Sequence, residues 1–312
     1  MTATIICYDG RRYELPKLLK WRLQYGSGSP CDSFLVECPW SDAPDGVTAD
    51  ASRFEATEDG KIMFRGLVDE CEYRWGKEGG RLLITGRGMA ALLLDNEATA
   101  AEYQLATLDD ILRDHVSPYG ITVGARAGLP AVAGFTVESG SSEWQVLYRF
   151  ACYHGGISPR FDREGRLLLT PWQAGTRMVV DGYVPVTELL YREKRYGILS
   201  EVLVRDKARR TTQKVVNQDF YNRGGRCRRV LSTPGRSSYE AMRYSGDFQL
   251  EQSKKEEKQL MMTVPKPFFS FPGDLLELKR GVITVDGIWR VTEAQTGADE
   301  NGYYTRLTME VQ

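Results

Sequence analysis

At 312 residues the chain is longer than one average domain, which predicts two or three compact units. Apolar residues at 42% and charged residues at 27% are ordinary globular usage, which argues against wholesale disorder and fibrous repeats. A formal charge of -1 gives no bulk attraction to nucleic acid or anionic lipid.

The opening "MTATIICYDGRRYELP" has no basic segment followed by a long apolar core and a small-residue cleavage site, so a cytoplasmic start is expected. Apolar runs such as Ala90–Leu94 fall far short of the roughly 18 residues that span a bilayer, and no membrane anchor is expected. Short β-rich runs then recur at Thr4–Tyr8, Arg12–Leu15, Trp21–Tyr25, Phe34–Cys38, Arg53–Thr57, Ile62–Tyr73 and Arg81–Thr85. Turn chemistry separates them at Asp9-Gly10, Gly26-Ser-Gly28, Asp59-Gly60 and Lys77-Glu-Gly79-Gly80, leaving no room for crossover helices. Residues 1–88 therefore read as one antiparallel β-unit, a meander, sandwich or barrel.

Helical grammar begins near residue 89. Thr107 and Asp110 form a capping box ahead of an apolar stripe at Leu108, Ile111, Leu112, His115 and Val116. Ser142 and Gln145 open a second helix with Trp144, Leu147, Tyr148, Ala151 and Cys152 on one face, stopped by Gly155. "ISPRFDREGRLLLTP" reads as a hairpin turning at Asp162–Gly165. Residues 89–175 thus form a small α+β module.

From 176 to 312 the β grammar returns, with enough strands for a second barrel and a peripheral insertion over about 221–257. Strands are expected at Met178–Val186, Leu199–Arg205, Gln213–Phe220, Arg228–Leu231, Lys258–Val264, Leu275–Leu278, Val282–Val285, Ile288–Ala294 and Tyr303–Val311. A short helix is expected at Ser237–Arg243, with Ser237 and Glu240 as its capping box. An internal echo links the blocks: from Phe64 and from Val285 the chain gives glycine, an apolar strand, an acidic glycine-containing turn and a strand opening Arg-Leu. That order aligns Gly66 with Gly287 and Arg81 with Arg306.

"LLITGRGMAALLL" contains Gly86-x-Gly88-x-x-Ala91, the local shape of a dinucleotide turn. Such a turn works inside a βαβ unit, and here the preceding strand closes an antiparallel run with no second apolar strand before Thr107. The two glycines are expected instead to let the chain leave its last strand sharply and enter a connecting helix, and no cofactor is expected.

Other chemistry is thinly supplied. The adjacent acids Asp69-Glu70 and Asp109-Asp110 point to different faces, and Ser237 and Ser238 lack a nucleophile elbow. His115 and His154 are the two histidines in the chain, and both have structural explanations. Cys7, Cys31, Cys38, Cys71, Cys152 and Cys227 show no C-x-x-C pair and no histidine at zinc spacing, so buried reduced thiols are expected. No catalytic or metal site is expected.

Charge is patterned beneath the neutral total. Residues 192–243 carry 14 Lys or Arg against 5 Asp or Glu, while residues 1–110 carry 12 against 19. The densest piece, "YNRGGRCRRV", sets Arg223, Arg226, Arg228 and Arg229 around a glycine turn. With no aromatic platform or basic recognition helix beside them, these arginines read as a candidate surface for a protein partner or neighbouring subunit, with a nucleic-acid contact or a solvated hairpin as alternatives.

Read together, "TLDDILRDHVSPYGI", "SSEWQVLYRFACYHGGISPRFDREGRLLLTP", "SEVLVRDKARRTTQKVVNQDF" and the late "FPGDLLEL", "IWRVTEAQT" and "TRLTMEV" resemble the late control D family, the baseplate hub proteins of contractile phage tails and phage-like particles. The resemblance covers nearly the whole chain. One departure is Gly88 after Gly86-Arg87, where hub proteins commonly carry an acidic residue.

The resemblance implies two tube-like barrels per subunit and a homotrimer whose six barrels adapt a sixfold tail tube to a threefold spike. It implies contacts with the tail spike, tail tube, tape-measure and surrounding baseplate proteins, a place in the tail baseplate after assembly in bacterial cytoplasm, and no enzymatic role. The alternatives are a cell-wall-degrading tail enzyme, which a zymogram would reveal, and a nucleic-acid-binding module, whose affinity would fall steeply with salt.

Overall fold

The computed structural model describes residues 1–26, 31–40, 47–77, 79–206, 208–233, 239–255, 257–282 and 284–312. The first block contributes β1 (Thr2–Cys7), β2 (Arg12–Glu14), β3 (Lys20–Gly26), β4 (Ser33–Pro39), β5 (Ala51–Glu58), β6 (Lys61–Gly76) and β7 (Gly79–Gly88). Alternation builds these strands: in β3, Trp21, Leu23 and Tyr25 are buried while Lys20, Arg22 and Gln24 face outward. Asp59 and Gly60 turn β5 into β6 with φ of 50° and 72°, the left-handed pair that a two-residue hairpin needs.

The middle module contains α1 (Ala91–Leu94), β8 (Ala101–Ala106), α2 (Leu108–His115), β9 (Val123–Arg126), β10 (Val132–Val137), α3 (Glu143–Gly155), β11 (Arg160–Phe161) and β12 (Leu167–Leu169). Both capping boxes form, Thr107 with Asp110 and Ser142 with Gln145. The chain leaves α3 through Gly156 at φ 61°, one residue beyond the expected stop. The helices share a core with β10 through Ile111, Phe135, Leu147 and Phe150. Three strands here, β8, β9 and β10, were not expected from sequence, because β8 and β9 are largely exposed and carry no apolar run.

The second block opens with β13 (Arg177–Asp181) and β14 (Glu188–Glu193). A lobe follows, made of β15 (Glu201–Asp206), β16 (Thr211–Val216), α4 (Gln218–Asn222), β17 (Arg228–Thr233) and α5 (Tyr239–Lys255). The chain then returns through β18 (Lys258–Val264), β19 (Leu275–Lys279), β20 (Gly287–Asp299) and β21 (Gly302–Val311). Several expectations change here. The β-rich run ending at Phe220 breaks at Asn217, whose side chain accepts from Phe220 N–H and starts α4. Val282 and Val285 form a turn, not a strand. The short helix extends to 17 residues, and its proposed cap Ser237 lies outside the described residues.

The two blocks repeat one topology. The spatial order β3-β4-β7-β6-β5-β1 recurs as β14-β18-β21-β20-β19-β13, and the chain order matches strand for strand. Their long hairpins share a register: Val68 faces Gly86 as Val291 faces Met309, and Gly76 faces Gly79 as Asp299 faces Gly302. Each hairpin bulges directly after its valine, before Glu70 and Glu293. The sequence echo is therefore real, but this register sets Gly66 against Trp289 and Arg81 against Tyr304, not the landmarks that sequence order suggested. One strand breaks the likeness, since β1 runs antiparallel to β5 whereas β13 runs parallel to β19.

The expected pair of closed barrels does not form; both blocks belong to one 13-stranded sheet. The reason lies in strand length. β20 pairs with β19 only as far as Arg290, and its remaining half takes β3 as its neighbour, from Glu293 opposite Gly26 to Ala298 opposite Trp21. A common core follows, with Phe34 stacked on Phe54 at 3.8 Å and Trp21 on Phe268 at 5.3 Å.

Candidate partner interface

The four singled-out arginines lie in the lobe between β14 and β18, on the connection from α4 into β17. That connection is tight because Gly224 takes φ 90° and a side chain at Gly225 would strike the Phe220 ring at 2.3 Å. β17 lies parallel to β15, whose other edge carries β16, and α5 packs across them over Leu199, Val202, Val204, Met242 and Leu250.

Each arginine already has a partner in its own chain. Arg223 donates to Glu257 at 3.1 Å, and Arg229 donates to Gln249 on α5 at 2.6 Å. Arg226 donates to the carbonyls of Tyr221 and Gly225 at 2.9 and 2.7 Å, with its guanidinium 3.9 Å over the Tyr221 ring. Arg228 pairs with buried Glu201, which Lys214 also holds at 2.5 Å; hydrogen bonds from Lys214 and Arg228 keep that carboxyl below its ordinary pKa. Arg223 and Arg228 remain 62% and 61% exposed, so their unused N–H donors still face outward. The structure thus brings the four together, with Arg228 serving the fold and Arg226 at the surface.

A second concave feature was not foreseen. A cavity of about 530 Å³ opens where both blocks and the middle module meet, lined among others by Tyr25, Asp32, Arg160, Arg163, Trp172 and Phe271. Arg160 lies 4.4 Å over Trp172, and Arg163 lies 4.2 Å over Phe271. Asp32 accepts from Gly26 N–H at 3.0 Å, and burial raises its pKa to about 7. Asp274 on the same wall is consumed by the N–H groups of Thr176 and Phe271 and by the Ser270 hydroxyl. These residues are far apart in sequence, and no local pattern announces their convergence.

The remaining motifs resolve structurally. Gly86 lies inside β7, where a Cβ would fall 2.0 Å from the Leu67 carbonyl oxygen and 2.5 Å from the Phe34 ring; close approach, not a sharp exit, explains it. The short α1 does follow. Although β8 supplies a strand after it, β8 pairs antiparallel with β10, and β7 is held between β4 and β6 in antiparallel ladders, so no βαβ unit exists at this turn. His115 is buried between α2 and α3, with Nδ1 2.6 Å from Glu143 and Nε2 3.1 Å from the Tyr103 hydroxyl. The His154 side chain lies outside the described atoms. Among the described residues, no three His, Cys, Asp or Glu side chains are placed to hold a metal ion.

Comparison with known proteins fits this arrangement. Residues 90–171 match the family "Baseplate hub protein gp44-like, second domain". Baseplate hub protein gp44 of Escherichia phage Mu is 26% identical over 107 residues, a match spanning 32% of this chain and 28% of the Mu protein. The tail protein from Neisseria meningitidis MC58 shares the fold with a TM-score of 0.80 at 16% identity, over 99% of this chain and 96% of its own. The 43 kDa tail protein of prophage MuSo2 from Shewanella oneidensis does so with a TM-score of 0.72 at 15% identity, over 99% and 97%. Residues 90–171 are accordingly similar to the second domain of gp44-like baseplate hub proteins, and the chain as a whole shares its fold with phage tail proteins.

Proposed function

We propose that this chain is the hub subunit of a contractile-tail baseplate or a phage-like injection particle, three copies of which form a ring of six sheet blocks joining the tail tube to the central spike. The duplication carries this reading. A sixfold tube meets a threefold spike without mismatch when each of three subunits presents two equivalent blocks, and the matched strand order and hairpin register supply two such blocks. The named relatives, a phage baseplate hub protein and tail proteins, support the same assignment.

Spike, tube, tape-measure and neighbouring baseplate proteins are the partners in this reading, within the tail of a particle assembled in bacterial cytoplasm. The outward face bearing Arg223, Arg226, Arg228 and Arg229 is assigned to a protein partner or to the acidic first block of the next subunit. The role is mechanical, not catalytic. Light scattering of the purified chain should give three times 35.2 kDa, and with its assembly mates a heavier complex holding three copies of it. A chain that stays monomeric beside those mates would overturn the proposal.

A further inference from the structure

Within one chain the blocks are joined by the ladder between β3 and the far half of β20. The duplication gives both strands a counterpart: β14 occupies the place of β3, and β6 that of β20. Both counterparts have an open edge. Among the described residues β14 is paired with β18 alone, and β6 beyond Leu67 with β7 alone. The consequence shows in burial: Ala294 and Thr296, covered by β3, are each 1% exposed, while their counterparts Cys71 and Tyr73 are only half-buried.

Resting on the ring reading above, we propose that β14 of one copy pairs antiparallel with the far half of β6 in the next copy, repeating between subunits the β3–β20 ladder found within each. The register follows from the pairings already described. Internally, Ala298 faces Trp21, Thr296 faces Leu23, Gln295 faces Gln24, Ala294 faces Tyr25 and Glu293 faces Gly26. Carried across through the matched hairpins and through β4 and β18, these become Trp75 with Leu189, Tyr73 with Tyr191, Glu72 with Arg192, Cys71 with Glu193 and Glu70 with Lys194.

The transferred register is fixed by backbone pairing alone, and its side chains are chemically complementary. It sets Glu72 against Arg192 and Glu70 against Lys194, opposite charges in both cases, and one tyrosine against another. It sets Trp75, 72% exposed in the single chain, against Leu189. A slip of one residue in either direction places Glu72 or Glu70 opposite Glu193, so the neighbouring registers are opposed by like charge. Open edges of this kind invite another strand, and a ring in which every such edge is taken leaves none for uncontrolled association.

The test uses a thiol already in place. In Glu193→Cys the new side chain faces native Cys71 of the next copy, and mild oxidation should give disulfide-linked species up to three chains on a non-reducing gel. Adding Cys71→Ser should abolish them, and Arg192→Cys, one position out of register, should give none. A second measurement uses charge: Glu72→Arg should weaken self-association at least about tenfold by setting two arginines opposite each other, and adding Arg192→Glu should restore it. A trimer by light scattering without the Cys71 cross-link would overturn the ladder and leave the ring standing. A chain that neither cross-links nor associates would remove both.

Discussion

Glu55 in β5 and Glu277 in β19 occupy the same place in the duplicated sheets, and each carboxylate holds two cations. Glu55 lies opposite Arg65, and Glu277 opposite Ile288, the matching positions of β6 and β20. Glu55 accepts from Arg12 at 2.7 Å and Arg65 at 2.8 Å; Glu277 is held by Arg177 and Lys279, each at 2.9 Å. Burial pushes the Glu55 pKa upward, but the two arginines outweigh it and hold the carboxyl below its usual value. Glu55→Gln should therefore lower the unfolding free energy in urea by about 1–3 kcal/mol at neutral pH, and the more exposed Glu277→Gln by less. A depressed carboxyl stabilises above its unfolded pKa and loses that contribution as pH falls through its folded value. The gap between Glu55→Gln and the parent should close in acid, and a gap of constant size would contradict the clamp.

Asp32 gives the opposite sign. Its carboxyl is raised from 3.8 to about 7 by burial, so the folded chain binds a proton that the unfolded chain has already released. The stability linked to that proton is full below about pH 4 and is lost as pH rises through 7, on the order of 4 kcal/mol across the window. Asp32→Asn keeps an acceptor for Gly26 N–H and cannot ionise. Its Tm should match the parent near pH 4 and exceed it at pH 8. Equal melting temperatures at both values would show that Asp32 does not titrate between them.

The fold was legible wherever a residue's fate is decided locally. Alternation in β3 and β4, the Asp59-Gly60 turn and the boxes at Thr107 and Ser142 depend on neighbours within a few positions, and each formed as read. What depends on distant partners was not legible. Closure of two barrels was expected because strand count suggests it, yet the outcome was set by β20 outrunning β19 and accepting β3, from the other end of the chain. The junction cavity likewise assembles Asp32, Arg160 and Phe271 from three units, and the largely exposed β8 has too few apolar residues to announce itself.

Gly86 shows how a motif can be correct as a pattern and wrong as a meaning. Its missing side chain makes room for the Leu67 carbonyl and the Phe34 ring at the bulge of the first hairpin. Gly86→Ala places a methyl group where backbone must move, so it should cost about 3 kcal/mol or more and yield largely insoluble protein. Gly128→Ala, where a Cβ meets nothing within 4 Å, is the matched control and should fold as the parent does. A soluble Gly86→Ala chain with unchanged Tm would mean that the β6–β7 approach is looser than described.

The arginine cluster should separate into two behaviours, because its members have different work within the chain. Arg228 neutralises buried Glu201, so Arg228→Ala leaves that carboxylate to Lys214 alone and should lower the melting temperature of the lobe before it touches assembly. Arg226 leans on Tyr221 and two carbonyls at the surface, contacts worth about 1 kcal/mol or less, and its replacement should leave the fold nearly unchanged. If the cluster faces a partner, Arg226→Glu should therefore reduce incorporation into particles while its circular dichroism and Tm stay at parental values. Normal incorporation of Arg226→Glu, together with a destabilised Arg228→Ala, would assign the cluster to the fold of the lobe and leave the partner to be sought on the edges of β6 and β14.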